Sequence, residues 1–306
     1  MIFDAHCDVL YQLQLDAIKN FQSESDLHVT YEQLNKVGGK VQCFAIYLPS
    51  DTTPNDRFQT ALEELDLFFE KVIKPNPKMK LIKSRKDLLG LEASEIGAVL
   101  TLEGCEAIEE DLIKLRTLYH LGVRSFGLTW NNANALADGA GEKRAAGLTN
   151  FGKKVVHELN DLHVWTDVSH LSEKAFWDVI EIADFPIASH SNSYKLCPHP
   201  RNLKDQQIKA LIEKNGVIGI TFVPHFLQKD GKAVLEDVVQ HLDYICSLGG
   251  ENHVGFGSDF DGIDETIPTL SRYQDYENLI DKLHKYYTDK QVRKFLYDNF
   301  VNHFPL

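Results

Sequence analysis

The sequence contains no Cys-x-x-Cys pair, and its five cysteines, Cys7, Cys43, Cys105, Cys197 and Cys246, are odd in number and scattered. That argues against a disulfide framework and a thiolate zinc site, and for a reducing compartment. No apolar run approaches the ~18–20 residues that span a bilayer, and no basic stretch followed by an apolar one opens the chain. Neither a membrane span nor a cleavable leader is therefore expected, and the protein reads as cytoplasmic. Positive charge is in deficit, with 32 Lys+Arg against 45 Asp+Glu and a net charge of −13. An acidic surface speaks against nucleic acid and against anionic lipid as partners. Low-complexity segments, repeats shorter than a strand–helix unit and linkers between two compositions are also missing. Residues 1–306 therefore read as one domain, long enough at 43% hydrophobic to bury a large core.

What is present begins in the first eight residues. Ile2 and Phe3 read as the start of a buried strand, and His6 and Asp8 stand two apart. In a strand, residues i and i+2 point the same way, so imidazole and carboxylate project together. Further short apolar strands are expected at Val41–Leu48, Gly97–Glu103, Val123–Trp130, Val164–His170, Phe185–His190, Gly216–Val223 and His253–Asp259. Helical periodicity falls between them, around Thr30–Val37 with a stop at Gly38, over Asn55–Val72, near Ser84, over Glu109–Leu121 and from Asn150 as an N-cap. Others start after Ser172, carry Ile208 and Leu211, carry Leu235 to Ile245, and close the chain with a capping box from Thr288 to Gln291. Eight strands alternating with helices imply parallel pairing and closure into an α/β fold, the (β/α)8 TIM barrel. An open doubly wound sheet would place a glycine-rich phosphate turn after the first strand, where this chain has His6, Cys7 and Asp8.

In such barrels the chemistry sits at the C-terminal ends of the strands. The residues expected there are His6 and Asp8, Glu103, His170, His190 and Asp259. Three carboxylates converging without a cation would repel one another and pay desolvation. One or two divalent metals resolve that conflict, and imidazole mixed with carboxylate favours zinc. Six candidates exceed the three protein ligands of a single catalytic zinc and point to two metals sharing a carboxylate. His253 opens its strand and reads as structural. His28, His120, His157, His163, His241, His284 and His303 are expected at solvent, while His225 lies just past the seventh strand.

The motifs Asp4-Ala-His6-Cys-Asp8, Leu102-Glu103-Gly104, Leu121 to Thr129, Asp167-Val-Ser-His170, Ser189-His190-Ser191, Pro200-Arg201-Asn202 and Gly257 to Gly262 run in order over nearly the whole chain. In them the chain resembles the membrane (renal) dipeptidase family of zinc peptidases, a branch of the amidohydrolase-type barrels. The resemblance implies one zinc on His6, Asp8 and Glu103, and a second on Glu103, His170 and His190, with a bridging water or hydroxide. It further implies Asp259 as the proton-transfer group and Arg201 as the clamp for the carboxylate of a small dipeptide substrate. Trp130 stands where family members often have a His, and together with Asn131 it is expected to contact substrate. Cys105 replaces the second residue of a frequent Gly-Gly pair. A homodimer is compatible with this reading. The alternative is an amidohydrolase-type enzyme acting on another small amide or a lactone.

Overall fold

The computed structural model describes residues 1–23 and 26–305. Among them nine strands form one all-parallel sheet: β1 (Ile2–Asp4), β2 (Gly39–Tyr47), β3 (Met79–Leu81), β4 (Ile96–Glu103), β5 (Val123–Gly127), β6 (Trp165–Asp167), β7 (Pro186–Ala188), β8 (Val217–Ile220) and β9 (Val254–Phe256). Pairing runs from β2 through β1 and β9 back down to β4, and β4 pairs with β2, so eight strands close into a barrel. The ninth, β3, was not expected. It pairs with Ile96–Ala98, the first half of β4, while β5 takes the second half from Leu100 to Leu102. A strand of eight residues can serve two short partners in succession along one edge.

Side-chain alternation divides the core in two. Phe3, Val41, Cys43, Val99, Trp165, Ile187 and Val217 gather in one cluster, whereas their neighbours Ile2, Phe44, Ala98, Leu100 and Ile218 belong to the large cluster beneath the helices. With a side-chain period of two, the first set faces the barrel interior and the second the helical layer. The end of the chain plugs the interior at the N-terminal rim. Phe300 stacks on Phe3 at 5.1 Å, Phe304 meets Trp165 edge-on at 4.7 Å, and Trp165 Nε1 donates to the carbonyl of His303. One end of the interior is thus filled by aromatic packing, and the opposite end is the one that holds the converging imidazoles and carboxylates. No helix among the described residues is long and apolar enough to cross a membrane.

Helix signals hold where a side-chain cap exists. Ser84, Ser172 and Thr288 accept from the backbone N–H three residues on, and Gly38, at φ 76°, ends Tyr31–Val37. Two starts shift. Thr149, not Asn150, caps the helix Asn150–Asp161, because its Oγ1 accepts from Gly152 N and also donates to Ala135 O, tying the preceding loop to the cap. The helix expected from Glu109 begins at Leu112, since Glu109 adopts a left-handed backbone (φ 52°) and Asp111 provides the cap to Ile113 N. His241 is corrected from solvent to core. It is buried, accepts from Ser193 N at 3.0 Å, and pairs through Nε2 with Leu227 O.

Candidate metal centre at the barrel mouth

Strand β1 ends at Asp4, earlier than its motif suggests, and the next residues reach the mouth by backbone pairing beyond the regular sheet. Ala5 N bonds Phe256 O, Asp259 N bonds His6 O at 3.2 Å, and Asp8 N bonds Phe260 O at 2.9 Å. The beginning of the chain and the exit of β9 therefore travel side by side and deliver His6, Asp8 and Asp259 together. Asp8 then stands at the N-cap position of the helix Val9–Leu15 without a capping bond from its side chain. Glu103 is the last residue of β4, and His170 and His190 lie just beyond β6 and β7. His170 (φ 69°) and Asp259 (φ 66°) both hold left-handed backbones. Such conformations cost about 1–3 kcal/mol each and collect at functional sites. Here they are secured by hydrogen bonds to their own carbonyls, from Ala140 N at 2.6 Å and Gly262 N at 3.2 Å.

The six expected residues meet. His6 Nε2 lies 3.3 Å from Asp8 Oδ2, 3.5 Å from Glu103 Oε2 and 3.7 Å from Asp259 Oδ1. On the other side, Glu103 Oε1 lies 2.8 Å from His170 Nε2 and 3.6 Å from His190 Nε2, and those two nitrogens face each other at 2.7 Å. The two oxygens of Glu103 thus divide between two donor clusters. Ligand atoms of His6, Glu103 and His190, and again of His6, Asp8 and Asp259, all lie within 4.8 Å of one another. His6 Nε2 is buried without a hydrogen-bond partner. A buried imidazole nitrogen left so, among carboxylates, fits a cation-binding role.

The protonation equilibria of these groups show the same conflict. Burial pushes the Asp8 carboxyl well above its ordinary value, and the charge of Glu103 adds to the shift. Asp259 also rises, first through burial, with His6 and Arg201 opposing. Burial would raise Glu103 too, but His6 and His170 outweigh it and hold it well below. His6 shows the converse: burial lowers it, and Glu103 and Asp8 more than restore it. Burial, reinforced by Arg201, lowers His170 to about 4, and His190 lies well below its ordinary value through burial and the charge of His6. A neutral His170 and His190 beside an anionic Glu103 match the protonation states that a divalent metal requires, whereas the shifts of His6 and Asp8 favour their protonated forms.

Two cavities flank His170. One, of about 370 Å³, is lined by Tyr11, Tyr47, Trp130 and the carboxylates Asp8, Glu103 and Asp259, with no Lys or Arg in its wall among the described residues. The other, of about 460 Å³, contains Arg201 together with apolar groups such as Val168, Leu171 and Phe176. Arg201 is buried, leaves Nε without a partner, donates to His190 O at 3.3 Å, and is lowered to about 10 by burial. The Trp130 ring packs edge-on against Tyr47 at 5.4 Å, with its centroid 6.0 Å from that of His170. Asn131 has its amide oxygen 2.9 Å from His170 Nδ1. His225 stays outside, mostly exposed and 3.5 Å from Glu265, and His253 bonds Gly216 O at the opposite rim.

Sequence reasoning passed over Asp4 and Asp167, which organise the strand exits in the same way. Asp4 Oδ1 accepts from the N–H of His6 and, across to the neighbouring strand exit, from Ser258. Asp167 Oδ1 accepts from Ser169 and, across again, from Ser189. The signal was an Asp closing an apolar strand two residues before a polar one, a pattern that side-chain hydrogen bonding to the backbone makes stable.

A family model described as membrane dipeptidase (peptidase family M19) matches residues 1–304. The chain is 35% identical over 229 residues to an uncharacterized protein in the pqqA 5′ region of Klebsiella pneumoniae, covering 71% of this chain and 84% of that one. A second relative, an uncharacterized protein in the PQQ-III 3′ region of Acinetobacter calcoaceticus, is 32% identical over 279 residues, with 80% and 88% covered. Among solved structures, the metallo peptidase dipeptidase AC superimposes at a TM-score of 0.93 with 27% identity, covering 99% of this chain and 97% of that one. A metallo peptidase from Rhodobacter sphaeroides, liganded with a phosphinate mimic of the dipeptide L-Ala-D-Ala, gives a TM-score of 0.92 at 27% identity, covering 99% and 98%.

Proposed function

The chain belongs to the membrane dipeptidase family, peptidase family M19, and is a metal-dependent dipeptidase; we propose that it hydrolyses small dipeptides with a free C-terminal carboxylate, using two zinc ions that share Glu103. The observation that carries the two-metal reading is the division of the Glu103 oxygens between the His6/Asp8 and His170/His190 clusters. On it, His6, Asp8 and Glu103 would hold one ion, and Glu103, His170 and His190 the other. Bound there, zinc supplies a Lewis acid for the scissile carbonyl and makes water nucleophilic near neutral pH.

The chain's own groups would do the rest. Asp259, beside His6, takes the proton of the attacking water and returns it to the leaving amine. Arg201 offers a planar fork to the substrate's terminal carboxylate, and its unpartnered Nε supports that assignment. The cavity lined by carboxylates and aromatic rings, with no Lys or Arg among the described residues, suits the amino end of the substrate. The mimic bound by the Rhodobacter sphaeroides protein supports extending the substrates to dipeptides with a D-residue at the C-terminal position. A cytoplasmic location is part of the same proposal and is supported by the five unpaired cysteines.

The test is a substrate series with zinc present. Dipeptides should be cleaved, their C-terminal amides should fail, and Arg201→Ala should erase the difference. Equal rates on acid and amide by the native enzyme would sink the carboxylate clamp. Trp130 is read as a wall that narrows side-chain choice. Trp130→Phe should then change KM and substrate preference while kcat stays within about tenfold. A fall in kcat of ~10²–10³-fold at unchanged KM would make its ring N–H a transition-state donor instead.

A further inference from the structure

His190 presents Nε2 to the centre and is held from behind by Nδ1, which lies 2.7 Å from Ser189 Oγ. The same hydroxyl is hydrogen-bonded to Asp167 Oδ2. All three side chains are buried, so their donors and acceptors can be counted without solvent. Asp167 Oδ1 already accepts from Ser169 N at 2.9 Å and Ser189 N at 3.0 Å. An ionised carboxylate can only accept, so the single proton of the Ser189 hydroxyl goes to Oδ2. The oxygen of Ser189 is then left to accept, from Nδ1 at 2.7 Å and, at a longer 3.4 Å, from the Ser169 hydroxyl. His190 is thereby fixed with hydrogen on Nδ1 and a lone pair on Nε2, facing Glu103 and His170.

The backbone of His190 is held by the same group of residues, since its N–H donates to Ser169 Oγ at 3.2 Å. His170 receives a simpler version. Its Nδ1 meets the amide oxygen of Asn131, a neutral acceptor, and this again leaves Nε2 with the lone pair. The two imidazoles on one side of the centre are thus oriented by different outer groups, one by an amide and the other by a carboxylate acting through a hydroxyl.

We propose that Ser189 and Asp167 form a positioning pair that locks His190 as an Nε2 metal ligand, and that loss of the Ser189 hydroxyl weakens metal binding on that side of the centre. The inference rests on reading the centre as a metal site, but not on the choice of substrate. Outer partners that orient a metal-binding histidine typically change metal affinity about 10–100-fold when removed.

Two measurements on the full chain decide it. In the metal-free native protein labelled with ¹⁵N-histidine, the His190 ring, assigned by its loss in His190→Gln, should show a protonated Nδ1. An unprotonated Nδ1 overturns the proposal, for the ring would then accept from the Ser189 hydroxyl instead of donating to it. Zinc affinity, measured by competition with a chelator, should fall about 10–100-fold for the weaker-held ion in Ser189→Ala and return in Ser189→Thr, which restores a hydroxyl. A lower melting temperature with zinc affinity within twofold of native would make Ser189 a packing residue only and would also overturn it. Native protein that takes up no zinc would defeat the metal reading itself, while the Nδ1 proton, read without metal, would still decide the orientation.

Discussion

Asp259→Asn should retain its metal and lose ~10²–10⁴-fold in kcat/KM, the usual worth of a positioned acid–base group. Asparagine is the informative replacement for two reasons. It keeps the shape of the side chain while removing its ability to carry a proton. It also tolerates the left-handed backbone that Asp259 adopts at φ 66°, so a loss cannot be blamed on a rebuilt strand exit. Burial and the nearby Glu103 push the Asp259 carboxyl upward from its ordinary value, in the direction that makes a carboxylate a better base. Dipeptide turnover near the native rate in a variant confirmed to hold its metal would remove Asp259 from the proton-transfer role.

Glu103→Ala should have a larger effect, because one carboxylate serves both clusters. Its oxygens lie 3.5 Å from His6 Nε2 on one side and 2.8 Å from His170 Nε2 on the other. Without it, His170 and His190 remain as a pair short of the three protein ligands usual for a catalytic zinc, and His6 and Asp8 would have to draw in Asp259, 3.7 Å from His6 Nε2, as their third. Native protein should carry about two zinc per chain, the Ala variant should lose both ions, and activity should fall beyond the ~10⁴-fold upper range of a lost proton-transfer group. Elemental analysis after dialysis reads the first quantity directly. An active native sample with at most one metal, or an Ala variant that keeps two, would contradict the shared-carboxylate arrangement. Glu103→Gln serves as the companion variant, since it preserves volume at a buried position and removes only the charge.

The barrel and the identities of the converging residues were legible in the sequence, because both follow from short-range rules. Apolar strands alternating with striped helices leave few ways to bury every face, and closure after eight is the most economical. Polar residues at the ends of those strands, such as Glu103 after Ala98–Leu102, interrupt an otherwise apolar run and so mark the rim. Ser172 and Thr288 were readable as caps for a similar reason, since a cap bonds within three residues of itself. Where the decisive contact was distant, local pattern failed. His241 looks like a solvent histidine on a helix, yet Ser193 and Leu227 satisfy both ring nitrogens and draw it into the core. Strand β3 is three residues long and carries no period of its own; it exists because β4 leaves its first half unpaired on that edge.

The centre divides in the same way. Sequence alone determined that imidazoles and carboxylates would share one rim, because strand direction and side-chain alternation place them there. Tertiary structure alone decided that Glu103 turns one oxygen to each cluster, that His170 and Asp259 adopt left-handed backbones, and that Asp167 reaches through Ser189 to orient His190. Those arrangements depend on distances between strand exits far apart in the chain, and the closed sheet sets such distances while no local preference does.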